Sequence, residues 1–377
     1  MEPTSFYKEL GIVLYDYVEK TLRDTQDIDV KTLKPHMQKY IAWLKKQISN
    51  SGLEQRSDAH TAWASCTQDA ESMELMISRI ANTNMEGKLL VSIGQNLESI
   101  LRGDSDPPDI LFRNELMNVY YGEVCNKISN CRQLRGWLDA IAHKNPCMKV
   151  IEIGAGNGSI TSLILESLQL HGHAADGATR FAQYDYTDIS GAFFEHVQEK
   201  FGSAKAKMNF KILNIEKDPA SQGYEEGSYD LVVAAWVLHA TPDLVTTVRN
   251  VRKLLKPLGK LVLLEVTRPN ILRSGLAFGL LPGWWLSAEK HREWSPLSIT
   301  GAMASCPAGR GFLRRGLCSP RLPNRRLPGE QQYDRNSDSG VPQRLSVNED
   351  YVCSGRRVFS TSCCGGSCSA DFKCNGL

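Results

Sequence analysis

Through the first third of the chain, apolar residues recur at helical spacing. Phe6, Leu10, Val13, Leu14, Tyr17 and Val18 fall at i, i+4, i+7, i+8, i+11 and i+12, one face of a helix. Met37, Tyr40, Ile41, Leu44 and Ile48 repeat the pattern, and so do Leu89, Leu90, Ile93, Leu97, Ile100 and Leu101, stopped by Arg102-Gly103-Asp104. Ser51 to Asp69 is polar and reads as a loop. Pro107-Pro108 opens a segment leading to Tyr120-Tyr121, and a last helix runs through Leu134, Leu138 and Ile141 to Pro146. Residues 1–145 therefore predict a helical domain, suited to act as a lid that excludes water from a site.

From Met148 the period changes. Val150-Ile151-Glu152-Ile153 is a short apolar run that meets Gly154-Ala155-Gly156-Asn157-Gly158, and Ile160, Leu163, Ile164 and Leu168 then mark a helix. This is strand, glycine loop, helix, the first unit of a parallel α/β sheet. A second strand runs from Phe181 to Tyr186 into Thr187-Asp188-Ile189-Ser190, and a third from Met208 to Ile215. Tyr229 to Ala235 is a fourth, buried strand that enters Trp236-Val237-Leu238-His239-Ala240-Thr241. A helix from Asp243 to Leu255, stopped at Lys256-Pro257-Leu258-Gly259, precedes a fifth strand, Leu261 to Glu265. The fold class is α/β, a Rossmann-like parallel sheet behind an N-terminal helical domain.

The glycine spacing is G-x-G-x-G, not the G-x-G-x-x-G of dinucleotide sites. Glycines let the backbone turn sharply and come close to a ligand, and the helix start offers N–H groups to a carboxylate or phosphate. Glu152, two residues before the first glycine, suits the ammonium of an amino acid better than a pyrophosphate. Together these point to S-adenosylmethionine, held by Glu152, Gly154, Gly156 and Gly158. A carboxylate ending the second strand is placed for ribose hydroxyls, which selects Asp188, with Asp185 second. Asn214 and Ile215, ending the third strand, stand where adenine would lie. His239 and Glu265 end the fourth and fifth strands, where open α/β sheets bind ligands. If those strands are neighbours, Glu265 can orient His239 so that its other ring nitrogen takes a proton.

Composition changes this picture only at the end of the chain. The net charge of +2 gives no argument for nucleic acid or an anionic membrane surface. The N-terminus lacks the apolar core of a signal peptide, and the longest apolar run, Leu276 to Leu286, contains Pro282 and is too short for a bilayer. A cytoplasmic protein is expected. Cys66, Cys125, Cys131 and Cys147 have no metal-like pairing and read as buried thiols; no metal is expected. Residues 301–377 carry Arg, Pro, Gly and Ser without an apolar period and read as a disordered tail, as a shifted frame or unspliced intron would leave. The antiparallel strands that usually finish such a sheet are then missing.

Several longer segments carry a resemblance: LLVSIGQNLESILRGDSDPPDILF, IAHKNPCMKVIEIGAGNGS, YTDISGAFFE, NIEKDPASQGYEEGSYDLVVAAWVLHAT, VRKLLKPLGKLVLLEVT and GLLPGWWL. Over roughly residues 85–298 the chain resembles the C-methyltransferase domain of fungal highly reducing polyketide synthases. The resemblance implies a class I methyltransferase that methylates the α-carbon of a β-ketoacyl chain held as a thioester on an acyl carrier protein. It implies His239 and Glu265 as a catalytic dyad. Residues 146–300 would form the S-adenosylmethionine-binding domain, and Tyr120 and Tyr121 are candidates to line the acyl pocket. Asn214 stands where methyltransferases often carry an acid. A chain starting at Met1 reads as a free-standing domain working with a synthase or carrier protein in trans. Two other readings compete: an O-methyltransferase of a released metabolite, and a cofactor-binding remnant without activity.

Overall fold

The change of period at Met148 divides the architecture. In the computed structural model, residues 3–49, 58–65, 69–112, 116–127, 129–169, 178–265 and 272–296 are described. The tail expected to be disordered, 301–377, lies outside them. Eight helices come first: α1 (Pro3–Asp24), α2 (Pro35–Ser49), α3 (Asp58–Ala64), α4 (Ala70–Thr83), α5 (Met85–Arg102), α6 (Pro107–Phe112), α7 (Leu116–Lys127) and α8 (Ser129–Lys144). Then come β1 (Lys149–Ile153), α9 (Ser159–Leu168), β2 (Gln183–Asp188), α10 (Phe194–Gln198), β3 (Met208–Ile212), β4 (Tyr229–Ala235), α11 (Leu244–Leu254), β5 (Leu255–Leu264) and α12 (Leu272–Phe278).

The residues fall into two compact units. In the first, the predicted stripes of α1, α2 and α5 are buried together with Met76 and Ile80 of α4. Gly103 ends α5 in the left-handed conformation (φ 83°), giving its N–H to the carbonyls of Ser99 and Ile100. Two expectations need correction. The polar stretch read as a loop contains α3, because His60 and Trp63 pack their rings on Tyr15 at 5.1 and 5.6 Å, a tertiary contact that outweighs composition. Helix α12, placed by sequence with the cofactor domain, belongs to the helical unit: Leu272, Leu276 and Ala277 join its core, and the Tyr40 hydroxyl donates to the Leu276 carbonyl at 2.9 Å.

The second unit is a five-stranded sheet in the order β3-β2-β1-β4-β5, every pairing parallel. Parallel strands need cover on both faces. One face packs Ile151, Val232, Leu261 and Leu263 against Leu244, Val248 and Val251 of α11. On the other, Glu152 of β1 accepts a hydrogen bond from Thr161 of α9. Strand β5 starts earlier than its apolar run suggests. Leu255 already pairs with Tyr229, and the register then shifts before Lys260 meets Leu231, with Leu258 in the left-handed region (φ 67°). Cys147 is exposed, not buried, at the turn into β1.

Candidate active site

The loop after β1 is gripped by β2. Ala155 N–H donates to the Thr187 carbonyl at 2.9 Å, and Thr187 Oγ1 to the Glu152 carbonyl at 2.6 Å. Gly156 N–H donates to Asp188 Oδ2 at 3.0 Å, and Tyr186 Oη to the Gly156 carbonyl at 2.5 Å. Gly154, Gly156 and Gly158 all have positive φ, 65°, 57° and 72°, so each suits glycine. Their surroundings differ. A Cβ on Gly154 would stand 2.4 Å from Val237 Cγ2, and one on Gly158 would stand 2.7 Å from Phe201 Cζ. Beside Gly156 nothing lies within 4 Å. Two glycines thus serve packing, and the middle one faces open space of the kind a ligand needs.

Glu152 is placed differently from its expected role toward an ammonium. Its side chain is 1% exposed and turned into the protein, accepting hydrogen bonds from Thr161 Oγ1 (2.7 Å) and Tyr184 Oη. Burial outweighs these donors and pushes its carboxyl up to about 7. Asp188 ends β2 as expected, with Oδ1 accepting from Ser190 N–H at 3.0 Å and Oδ2 from Gly156. Each oxygen keeps a second lone pair, which is what ribose hydroxyls would use. Asn214 spends its Oδ1 on Glu216 N–H (2.9 Å), and Ile215 is buried against the α11 face. The apolar surface at this edge comes instead from Ile189 and Ile212, 62% and 61% exposed, where Ile212 pairs with Asp188. Sequence reading missed both; an apolar residue directly after the β2 carboxylate was the available signal.

The ends of β4 and β5 bring His239 and Glu265 together. Strand β4 leaves the sheet through Trp236, whose φ of 53° is unusual for a bulky residue and whose N–H donates to the Leu264 carbonyl at 2.8 Å. The following 3₁₀ turn, Leu238–Ala240, wraps the Glu265 carboxylate. Leu238 N–H and His239 N–H donate to Oε1 at 2.9 and 3.3 Å, and His239 Nδ1–H donates to Oε2 at 2.5 Å. Glu265 is 2% exposed. A carboxylate on Nδ1 fixes the imidazole tautomer with Nε2 as the basic nitrogen. Thr241 Oγ1 holds the turn through the Leu238 carbonyl at 2.7 Å. Tyr120 and Tyr121 stand in the other unit, on α7, their rings 5.8 Å apart and Tyr121 packed 6.3 Å from Phe278.

The open space at Gly156, the carboxylate of Asp188 and the exposed isoleucines fit S-adenosylmethionine, a ligand with an amino-acid end, a ribose and an aromatic base. Comparison with known proteins points the same way. Residues 151–261 match a family described as a methyltransferase domain. The chain is 41% identical over 298 residues to the highly reducing polyketide synthase NEC1 of Pyricularia oryzae, covering 78% of this chain and 10% of that synthase. It is 36% identical over 296 residues to the squalestatin tetraketide synthase of a Phoma species, with 78% and 11% covered. It thus spans about a tenth of the length of these curated relatives. Among solved structures, the trans-methyltransferase CalH in complex with SAH has a TM-score of 0.67 at 28% identity, covering 83% of this chain and 86% of that one. The CurJ carbon methyltransferase has a TM-score of 0.62 at 25% identity, with 81% and 84% covered.

Proposed function

We propose that this chain, a methyltransferase domain of the kind carried by fungal highly reducing polyketide synthases, methylates the α-carbon of a β-ketoacyl thioester on an acyl carrier protein. It is an enzyme that uses S-adenosylmethionine; the acceptor and the carrier are what the proposal adds. The observation that carries it is the His239–Glu265 pair at the carboxyl ends of adjacent strands. Carbon methylation needs a base for an α-proton made acidic by two flanking carbonyls, and this pair supplies one.

In this reading His239 Nε2 takes the α-proton, and the Glu265 carboxylate, already on Nδ1, stabilises the imidazolium that results. The two backbone N–H groups on Oε1 hold the Glu265 carboxylate aimed at the imidazole. Of the expected glycines, Gly156 would receive the amino-acid end of the cofactor, with Gly154 and Gly158 shaping the loop around it. Asp188 would take the ribose hydroxyls, and Ile189 and Ile212, more than the expected Asn214 and Ile215, would face the base. When bound, the cofactor supplies an electrophilic methyl group. Glu152 braces the loop from beneath. Tyr120 and Tyr121 remain proposals for the acyl-pocket wall, and the helical unit for the lid, whose first stretch by its contacts ends at Arg132 and not at the expected 145.

The test is incubation of the full chain with S-adenosylmethionine and a β-ketoacyl thioester, on a carrier protein and as a small thiol ester. Expected is one methyl on the α-carbon, read by mass spectrometry and NMR of the product. Methyl on oxygen of a free compound would favour the O-methyltransferase reading, and cofactor binding without transfer the inactive one.

A further inference from the structure

Tyr184, Tyr186 and Asp188 alternate along β2, so all three project from one face, toward α9. Each reaches β1 or its loop: Tyr184 the Glu152 carboxyl, Tyr186 the Gly156 carbonyl, Asp188 the Gly156 N–H. Tyr186 is fully buried, its ring 6.0, 5.9 and 5.2 Å from Phe194, Phe201 and Phe210. In such surroundings a phenylalanine would pack as well, and a buried hydroxyl costs free energy unless it is paired. The loop carbonyl is its partner, at 2.5 Å.

That carbonyl matters because of the residue that owns it. Glycine removes the steric barrier that stops a peptide plane turning over. Two planes meet at Gly156, and each is held by a different β2 side chain. Asp188 holds the Ala155–Gly156 plane through its N–H. Because a trans peptide points its N–H and C=O in opposite directions, the Ala155 carbonyl is turned away from Asp188, and it accepts from Gly158 N–H at 3.0 Å. Tyr186 holds the Gly156–Asn157 plane through its carbonyl, and so turns the Asn157 N–H away from β2. Without that hydroxyl the second plane has no side chain of β2 to fix it, and a flip would set a carbonyl where an N–H had been. A site for a carboxylate-bearing ligand cannot tolerate that exchange.

We propose that Tyr186 is a positioning residue for the cofactor: its hydroxyl locks the Gly156–Asn157 peptide plane in the orientation that receives the amino-acid end of S-adenosylmethionine. It acts through the backbone. The proposal rests on the glycine loop being the cofactor site. If the loop is divided between two orientations, apparent affinity falls by the competent fraction, while the bound complex and its chemistry stay the same.

The experiment is Tyr186→Phe in the full chain, which keeps the ring among its three phenylalanines. Calorimetry should show S-adenosylmethionine and its demethylated product both binding roughly tenfold more weakly. The cofactor KM should rise in step, with kcat and the thioester KM at parent values and a melting temperature close to the parent's. Unchanged cofactor affinity would overturn the proposal. So would a parallel loss in kcat, both KM values and melting temperature, which would make the hydroxyl a stabilising contact only. A parent chain that binds the cofactor but methylates no thioester would overturn the acceptor reading and leave this one standing. One that binds no cofactor would end both.

Discussion

Gly154, Gly156 and Gly158 share a motif but not a job, and substitution should separate them. Gly156→Val puts a branched side chain into the open space beside the loop and should abolish cofactor binding with the circular dichroism spectrum unchanged. Calorimetry showing parent affinity would remove the loop as the cofactor site. Gly154→Ala should instead lower stability by about 1–3 kcal/mol, because its Cβ collides with Val237 in a backbone conformation that disfavours it. For the dyad, His239→Ala should lose roughly 10²- to 10⁴-fold in methyl transfer at unchanged cofactor affinity. Glu265→Gln should lose less, since it orients and does not itself take the proton; parent rates from His239→Ala would place the base elsewhere. Glu152 gives a pH prediction. Its folded-state carboxyl is raised to about 7 by burial, so the fold binds its proton more tightly than the unfolded chain does. Its stabilising share is complete below the unfolded value near 4.5 and is lost as pH rises toward 7. Glu152→Gln should flatten that decline and gain up to ~3 kcal/mol above pH 7; denaturant melts that show the same loss of stability between pH 5 and 8 as the parent would refute it.

At the scale of elements, Asp185 ties three strands. Its Oδ1 accepts from Gln183 of β2 and Asn209 of β3, both at 2.7 Å, and its Oδ2 from Lys211 of β3 (3.2 Å) and Tyr229 of β4 (2.5 Å). Burial raises this carboxyl, but the donors from Asn209, Tyr229 and Gln183 and the Lys211 ammonium outweigh it, and the pKa ends below the usual value. The sign is opposite to that of Glu152: its stabilisation is present above the unfolded value near 3.8 and disappears as pH falls through the lower folded one. Asp185→Ala should cost about 1–3 kcal/mol, since it strands the buried Tyr229 hydroxyl; a thermal melt indistinguishable from the parent's would contradict this. The strands themselves were legible: β4 runs over Tyr229–Ala235 as its apolar run suggests, and β1 stops at the first glycine. Asp185 was weighed for ribose because sequence gives a carboxylate near a strand end but not the face it takes. Three positions before the end of β2, it lies under the sheet. The turn of Trp236 into the left-handed region was hidden too, because nothing local asks a tryptophan to adopt it.

For the molecule as a whole, sequence order hid which pieces belong together. Apolar periodicity identifies a helix but not its partner, so α12 was grouped with the strand it follows. Its true neighbours are selected by shape: Gly275 lets the ring of Trp43 approach so closely that a Cβ would lie 2.2 Å from Cζ2, and Gly279 does the same for Tyr40 at 2.8 Å. Gly275→Leu should therefore destabilise the helical unit by about 1–3 kcal/mol. Differential hydrogen exchange would show the loss in α1, α2 and α5, with β1–β5 protected as before; uniform loss across the chain would mean the two units unfold as one.

The Tyr40–Leu276 hydrogen bond joins residues 236 positions apart. During synthesis that separation is a delay. At roughly 5–20 residues per second, α2 leaves the ribosome on the order of tens of seconds before the segment that covers Tyr40 and Trp43 exists. Among the described residues the sheet unit runs from Gln133 to Glu265, and its five strands are synthesised before that segment. Chains ended at residue 265 and released from the ribosome should therefore carry a folded sheet and a helical unit still open to chaperones, and only those that include α12 should bury both aromatic rings.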